Sequence, residues 1–321
     1  MKFIFHIANK LFLSSQDHLL KTPLKQTHST PMDELEAFKT YNIVIPLSLF
    51  GILIAFIIAC GILILVGCVK RLHTVTHLLI CNTSISSIFY CIVQSVNYIF
   101  LLFIKWEIND VSCRWRGYFG YMAVVAVVYS YLTQAISRFF ISILSTRYPR
   151  ISSFRTHFIL ILLQWFVVLL IPLPAILTDH IRHQPFSLCW VPRKFTLHVI
   201  YTIFAYYLIP ALLIFAMHMY IYVCIKYPRY QVFILTRRHR TKRDLQVLYN
   251  IMILFAIYTL GAIPTVLYIL TNVRFLYGMG IISVSFTVAI EKLVTLMLDR
   301  DIRNIIKLYF RRSMVQVRPI Y

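Results

Sequence analysis

The hydrophobic and polar positions of this chain follow one another in long blocks rather than alternating at short intervals. A helix needs about 20 mostly apolar residues to cross a bilayer, and the sequence supplies seven blocks of that kind. The predicted spans are residues 43–69, 78–104, 113–144, 156–177, 196–225, 245–271 and 275–298. The blocks lack the alternating segments of about ten residues that mark the strands of a membrane barrel. The pattern therefore predicts an all-α integral membrane protein, a bundle of seven transmembrane helices.

Composition supports this class and removes others. Of the 321 residues, 60% are hydrophobic and only 13% are charged, whereas soluble domains are about half apolar and about a quarter charged. These values exclude a soluble enzyme, a disordered tail and a disulfide-rich secreted domain. The net charge of +21 by itself would suggest nucleic acid. The basic runs are short and flank the spans, however, so the lipid bilayer is the expected partner and nucleic acid is not.

The basic residues also predict an orientation, because cytoplasmic loops carry an excess of Lys and Arg. With the N-terminus outside, the inner loops and C-terminal tail hold 18 of them and the outer loops and helix mouths hold seven. The bias predicts an extracellular N-terminus. Residues 1–14 are basic and apolar and resemble a signal sequence, but Lys10 interrupts the apolar run and no A-x-A site follows. We expect a plain extracellular tail.

Asn82-Thr83-Ser84 matches the acceptor pattern for N-glycosylation. The motif falls inside the second predicted span, near its inner end. We therefore expect no glycan at Asn82.

A set of individual residues is distributed in a characteristic order along the spans and the segments between them. In chain order the set consists of Cys113, Ser137-Arg138-Phe139, Trp165, Cys189, Pro210, Pro264 and Asp299-Arg300-Asp301-Ile302-Arg303. Cys113 and Arg138 stand about 37 Å apart along one helix, which is close to a bilayer thickness. The ordered set resembles the rhodopsin-like (class A) G-protein-coupled receptors over about residues 42–312. It is similar to a divergent orphan or chemosensory-type member of that family.

The resemblance implies an architecture and a function. It implies an extracellular tail (1–41), a seven-helix receptor domain (42–312) and a cytoplasmic tail (313–321), in the plasma membrane. An unknown extracellular ligand would bind at the outer face and a heterotrimeric G protein at the inner face, with no cofactor and no metal. The resemblance also implies a disulfide between Cys113 and Cys189, which the oxidising exterior makes chemically sensible.

The resemblance assigns G-protein coupling to Ser137, Arg138 and Phe139. Arg138 would be tethered in the resting state, and Asp244 is the candidate partner because it lies about 30 Å below Pro264 on the same helix. The alternative is that Arg138 is a positive anchor that reaches the headgroups, and that Asp244 only offsets its basic neighbours. The tether remains the favoured interpretation.

Prolines and one glycine point to bends in two spans. Pro210 and Pro264 remove helix hydrogen bonds and permit kinks in the fifth and sixth helices. Gly261 adds backbone freedom near the second of them. The resemblance implies that these bends let the inner ends of the helices move outward.

Several positions depart from the family pattern. Glu291, Lys292 and Thr295 stand where the family carries Asn-Pro-x-x-Tyr. Ionisable groups inside a span are costly and tend to be functional. Glu291 and Lys292 point about 100° apart on a helix, so they need not pair, and one could reach the inner headgroups. Two interpretations of Glu291 and Lys292 stay open. They could form a polar switch in place of the missing Asn-Pro-x-x-Tyr motif, or a satisfied internal pair with only a structural role.

The ligand pocket follows only from the resemblance. The positions it implies are Asn97, Gly120, Tyr121, Val124, Thr202, Tyr206, Thr265 and Ile269. Gly120 stands where amine receptors carry an Asp, which argues against a biogenic amine. The basic residues of the outer loops slightly favour an acidic, peptidic or lipid ligand.

The segment after the last span predicts a short amphipathic helix over 300–312. Asp299 or Asp301 can cap its start. Its apolar face at helical spacing consists of Ile302, Ile305, Ile306, Tyr309 and Phe310. Such a helix lies in the interface of an anionic leaflet.

Other function classes fit less well. Enzyme motifs such as H-E-x-x-H and G-x-S-x-G are missing from the sequence. A seven-span transporter remains the alternative, although the internal repeats typical of transporters are not seen. A chemoreceptor channel without G-protein coupling would place the N-terminus inside.

Overall fold

The computed structural model describes the backbone of residues 31–103, 110–144, 148, 151, 153–178, 180–181, 188–192, 194–226, 238–271 and 273–316. Within these ranges, the side chains of residues 31–40, 102–103, 110, 225–226, 238–248 and 309–316 are not described. The chain divides into two units, Met1–Lys39 and Thr40–Tyr321. The second unit contains every helix of the described chain that could cross a membrane.

The described backbone is built from helices. Helix α1 is Pro31–Cys68, α2 is Val75–Phe103, α3 is Asp110–Ser142, α4 is Phe154–Leu170, α5 is Thr196–Lys226 in three segments, α6 is Arg238–Thr271, α7 is Arg274–Leu298 and α8 is Arg300–Gln316. A 3₁₀ turn, Lys70–Leu72, separates α1 from α2, and a short helix, Leu173–Leu177, extends α4. In the described chain, α1 to α7 are long and apolar enough to cross a membrane. The predicted seven-helix bundle with an eighth amphipathic helix is confirmed.

Helix α3 occupies the centre of the bundle. It packs against α2, α4, α5 and α6. In its most apolar window 83% of the residues are buried, against half or fewer in every other span. A helix surrounded by protein is apolar on all sides, and the run from Ala123 to Val128 fits that rule. A residue on α3 can therefore interact with most of the bundle.

Helices α2 and α4 are joined by polar side chains. Asn82 donates a hydrogen bond to Gln164 Oε1 at 2.6 Å and accepts one from Trp165 Nε1 at 3.0 Å. Asn82 is 3% exposed. A buried amide with both ends engaged is not accessible for glycosylation, in agreement with its position inside the span.

Helix α5 changes its winding before Pro210. Thr196–Ile203 is α-helical, Phe204–Leu208 forms a π turn, and Ile209–Lys226 is α-helical again. The Ile209 N–H donates to the Phe204 carbonyl, five residues earlier. A π turn leaves carbonyls without their regular partners, and Tyr129 on α3 donates its hydroxyl to the Ala205 carbonyl at 3.0 Å. Helix α6, in contrast, runs through Pro264 as one continuous helix.

Helices α6 and α7 meet closely at Gly261. A Cβ atom at this position would overlap Thr287 Oγ1 and lie 2.7 Å from Thr287 Cβ. No side chain fits in that space, so Gly261 sets the distance between the two helices. The sequence suggested conformational freedom for Gly261, and the structure adds this role in packing.

Helix α8 packs one face against the rest of the unit. Ile302 is fully buried and shares a cluster with Ile62, Val66 and Leu72. Arg303 and Lys307 are exposed on the other side. The side chains of Tyr309 and Phe310, which the sequence assigned to the apolar face, lie outside the described part of the chain.

Candidate functional site

A disulfide marks one end of the bundle. Cys113, at the start of α3, is bonded to Cys189, in the segment before α5, with a Cα–Cα distance of 5.4 Å. The predicted disulfide is therefore present. We refer to this side as the disulfide end and to the opposite side as the Arg138 end.

The segment that contains Cys189 lies very close to α3. A Cβ atom at Gly117 would be 2.5 Å from the Cys189 carbonyl oxygen and 2.6 Å from the side chain of Ile181. The Arg116 guanidinium lies 4.2 Å from the centre of the Phe100 ring. Glycine at position 117 allows the segment to rest directly on the α3 backbone.

Two tyrosine hydroxyls hold residues 188–192 in place. The Leu188 N–H donates to the Tyr277 hydroxyl of α7 at 2.8 Å. The Val191 N–H donates to the Tyr121 hydroxyl of α3 at 3.0 Å. The segment is thus held to two helices and forms a cover over the bundle interior.

Below this cover lies a cavity of about 140 Å³, which we call the tyrosine cavity. The tyrosines that line it are Tyr90, Tyr98, Tyr121, Tyr206, Tyr207, Tyr268 and Tyr277. Gln94, Thr202 and Thr265 add polar groups. Among the described lining residues there is no Asp, Glu, Lys or Arg. The cavity offers aromatic surface and hydroxyl groups, but no formal charge from these residues.

Six of the eight residues expected in the pocket line the tyrosine cavity: Tyr121, Val124, Thr202, Tyr206, Thr265 and Ile269. Asn97 and Gly120 do not. They face each other where α2 approaches α3, and a Cβ at Gly120 would lie 3.4 Å from Asn97 Nδ2. The cavity-lining residues of α2 are instead Tyr90, Gln94 and Tyr98. Their four-residue spacing is a sequence signal that could have identified this face.

A second cavity, of about 310 Å³, opens around Arg138 at the other end, and we call it the Arg138 cavity. Arg138 is 5% exposed. It donates a hydrogen bond from Nη2 to Thr76 Oγ1 on α2 at 2.9 Å. The other polar lining residues include His77, Asn250, Glu291, Lys292 and Asp299. Arg138 therefore points into the bundle and does not extend along its surface.

Of the residues predicted to act with Arg138, the structure describes the side chains of Ser137 and Phe139 but not that of Asp244. Ser137 is fully buried, and the Phe139 ring packs at 5.7 Å from the Tyr220 ring of α5. Asp244 belongs to α6, but its side chain lies outside the described part of the chain. The pair between Arg138 and Asp244 stays a prediction.

Glu291 and Lys292 form a buried ion pair in α7. Lys292 Nζ donates to Glu291 Oε1 at 3.1 Å, and each side chain is 1% exposed. The Thr295 hydroxyl lies 3.5 Å from the same carboxylate oxygen. The expectation that one of the two could extend towards the headgroups is wrong, because both stay inside the bundle. Both residues line the Arg138 cavity.

Asp299 joins α8 to α2. Its Oδ1 accepts hydrogen bonds from the Asp301 and Ile302 N–H groups at 2.9 and 3.0 Å, which caps α8. Its Oδ2 lies 3.5 Å from His77 Nε2. Burial by itself would raise the pKa of Asp299, but the His77 contact and the two N–H groups outweigh burial. The net result is a pKa below the ordinary 3.8.

Asp299→Ala is expected to lower the free energy of unfolding by about 1 kcal/mol, because two N–H groups of α8 lose their cap. Since the folded pKa is depressed, this contribution is complete above pH 3.8 and is lost as the pH falls through the folded value. Thermal melts of the purified protein from neutral to acidic pH measure both effects. Asp299→Asn is the control, since it retains a capping oxygen. A difference from wild type that does not shrink below pH 3.8 would contradict the assignment.

The same corner has the residue types of a metal site. His77, Asp299 and Asp301 each place one possible ligand atom within 4.8 Å of the others. Both oxygens of Asp299 are already engaged, one with α8 and one with His77. Capping of α8 accounts for this arrangement without an ion.

Several curated proteins are similar to this chain. The neuromedin-K receptor of Rattus norvegicus is 28% identical over 174 residues, which are 52% of this chain and 36% of the receptor. The neuromedin-K receptor of Homo sapiens is 28% identical over 168 residues, which are 49% of this chain and 36% of that receptor. The match thus spans little more than a third of the length of these relatives.

The family described as 7 transmembrane receptor (rhodopsin family) matches residues 41–296, most of the chain. The matched region includes all seven membrane-capable helices of the described chain, apart from the last residues of α7, and both cysteines of the disulfide. It also includes the residues of both cavities except those from the end of α7 to the start of α8. The chain belongs to the rhodopsin family of seven-transmembrane receptors.

Proposed function

We propose that this G-protein-coupled receptor lies in the plasma membrane, binds an extracellular ligand in the tyrosine cavity and activates a heterotrimeric G protein at its Arg138 end. The observation that carries the proposal is the pair of cavities at opposite ends of α3, the central helix. A ligand that changes the position of α3, α6 or α7 at one end acts on the other end through the same helices. We propose no enzymatic activity, in keeping with a family of receptors.

The disulfide end is proposed to face the exterior. Disulfides persist in oxidising compartments, and Cys113 and Cys189 are bonded there. In the described chain, the turns and helix starts next to the Arg138 end carry Lys70, Arg71, Arg155, Arg300, Arg303 and Lys307, which supports a cytoplasmic location for this end.

The lining of the tyrosine cavity supports a ligand that inserts an uncharged group. Tyr and Thr hydroxyls can pair with amide or hydroxyl groups, and the aromatic rings bury apolar surface. An ammonium group would find no carboxylate among the described lining residues, which argues against biogenic amines. The curated relatives are named as receptors for neuromedin K, and we propose that a related ligand would enter the cavity through an uncharged group.

Coupling is proposed to depend on Arg138 held inactive by Asp244. Arg138 is already buried and bonded to α2. Asp244 lies on α6, the helix proposed to move outward on activation. Release of the arginine would expose a cationic group to the G protein.

A panel of G-protein activation assays in cells tests this function. Asp244→Asn is expected to raise basal signalling, and Arg138→Ala to abolish both basal and ligand-induced signalling at equal surface expression. Asn304→Ala, at an exposed position of α8 that does not line the Arg138 cavity, is the control and should behave as wild type. Neuromedin K and other peptides serve as trial ligands.

Two outcomes would count against the proposal. An unchanged basal level in Asp244→Asn, in a receptor that does couple, would remove the Arg138–Asp244 pair. No activation of any G protein, with or without peptide, would instead point to a membrane protein that does not couple.

A further inference from the structure

Two histidines meet at the disulfide end, outside the tyrosine cavity. His180 follows the short helix that extends α4, and His198 lies in the first segment of α5. Their Nδ1 atoms are 3.4 Å apart, and the ring planes are inclined at 87°. Neither residue has a part in the ligand-binding and coupling roles proposed for the two cavities.

We propose that His180 and His198 bind a divalent transition-metal ion such as zinc. Zinc–imidazole bonds are about 2.0–2.1 Å long, so two nitrogens on one tetrahedral ion stand about 3.4 Å apart. The observed Nδ1 separation has this value. With both nitrogens directed at the ion, the ring centres would be about 5.3 Å apart, and they are 5.4 Å apart.

A shared proton is the competing interpretation of the same contact. Hydrogen bonds from N–H groups usually span about 2.7–3.2 Å, and 3.4 Å is longer than that range. The contact nevertheless satisfies the geometry of an N–H···N hydrogen bond in one tautomer, so the metal titration below separates the two interpretations. Imidazole is a preferred ligand of zinc and of neighbouring transition metals, whereas magnesium and calcium prefer oxygen.

The surroundings hold both rings in position before an ion arrives. The His180 ring stacks on Phe195 with centroids 3.9 Å apart. The His198 N–H donates to the Phe195 carbonyl at 2.9 Å, and its ring meets the Tyr201 ring edge-on at 5.9 Å. His198 is 8% exposed and His180 is half-buried. Little rotational freedom is left for the ion to remove.

Two protein ligands leave two positions of a tetrahedral ion for water or for a group of a bound molecule. The ion would clamp the segment after α4 to the start of α5. Ile181, next to His180, packs on α3 at Gly117. Val199 and Thr202, which follow His198, line the tyrosine cavity. A bound ion thus restrains the wall of this cavity, although binding of the ion does not depend on the proposed signalling function.

Cobalt titration of the full-length purified protein tests the site, with a purification tag free of histidine. Co²⁺ in a tetrahedral histidine site absorbs visible light, and Zn²⁺ displaces it. We expect saturable absorption in wild type. His180→Asn and His198→Asn should each raise the half-saturating concentration about tenfold or more. His180→Asp keeps a ligand oxygen and should retain binding better than His180→Asn.

His77→Asn is the matched control, because His77 belongs to the acidic corner at the other end of the bundle. This variant should bind as wild type does. Absence of saturable binding in wild type, equal binding in His180→Asn, or loss of binding in His77→Asn would overturn the proposal. The melting temperature without metal confirms that each variant folds. If the buried His198 position does not tolerate Asn, the comparison of His180→Asn with His180→Asp decides.

Discussion

Glu291→Gln is expected to lower the free energy of unfolding by about 3–5 kcal/mol, one of the two largest losses we expect. The change removes the negative partner and leaves Lys292 as an uncompensated charge inside the bundle. Both side chains are 1% exposed, so water does not screen them. Lys292→Met should have a comparable effect, because it leaves the Glu291 carboxylate alone. Thermal unfolding of the purified protein in detergent measures both variants.

The double variant Glu291→Gln/Lys292→Met distinguishes a lost pair from two independent losses. Replacement of both members of a buried pair is often nearly neutral, so the double variant should recover most of the stability. Lys307→Met, on the exposed side of α8, is the control for removal of one positive charge. A double variant as unstable as the sum of the single variants would show that the pair is not the source of the effect.

Gly261→Ala is expected to cost about 1–3 kcal/mol. The added methyl group would overlap the Thr287 hydroxyl oxygen and lie 2.7 Å from Thr287 Cβ. Because the overlapping atoms include Thr287 Cβ, rotation of the threonine side chain cannot relieve the clash. Helices α6 and α7 would have to separate. The melting temperature measures this loss.

A matched control and a compensating change make the Gly261 prediction specific. Gly61→Ala, on α1, adds a methyl group with nothing within 4 Å, and should stabilise the helix by up to about 1 kcal/mol. Gly261→Ala/Thr287→Gly moves the small residue to the opposite helix and should restore part of the stability. Failure of this pair to recover, or an equal loss in Gly61→Ala, would contradict the packing role.

The spans could be predicted from the sequence because lipid imposes a length and a composition on each helix. Seven blocks of apolar residues became seven helices, and most ends agree within a few residues, although α1 begins 12 residues and α6 seven residues before the predicted span. The Cys113–Cys189 disulfide followed from the resemblance of an ordered set of residues. The spans and the disulfide could be predicted because both follow from the order of residues along the chain.

Rotation of each helix about its axis was harder to predict. Asn97 and Tyr98 are neighbours on α2, yet only Tyr98 lines the tyrosine cavity. The direction that faces the cavity depends on how α2 packs on α3, where Asn97 meets Gly120. A helix in a membrane carries apolar residues on the side that faces lipid as well as on the side that packs against protein. Hydrophobic periodicity therefore indicates the buried face less clearly than in a soluble protein.

The pairing of Glu291 with Lys292 was also not evident from spacing. Adjacent residues diverge by about 100° on a helix, and the sequence left a switch and an internal pair as alternatives. Two long side chains of opposite charge can bend back towards each other, because a charge buried away from water needs a partner. The surroundings of α7, rather than its own sequence, favour the internal pair.

The π turn in α5 has a consequence for comparison with relatives. Phe204–Leu208 holds one more residue than an α-helical stretch of the same rise would hold. It therefore behaves as an insertion absorbed within the helix, without any loop. A relative with a regular α5 needs one residue fewer between Thr202 and Pro210. Alignment of the two without a gap would match residues that face the tyrosine cavity with residues that face lipid.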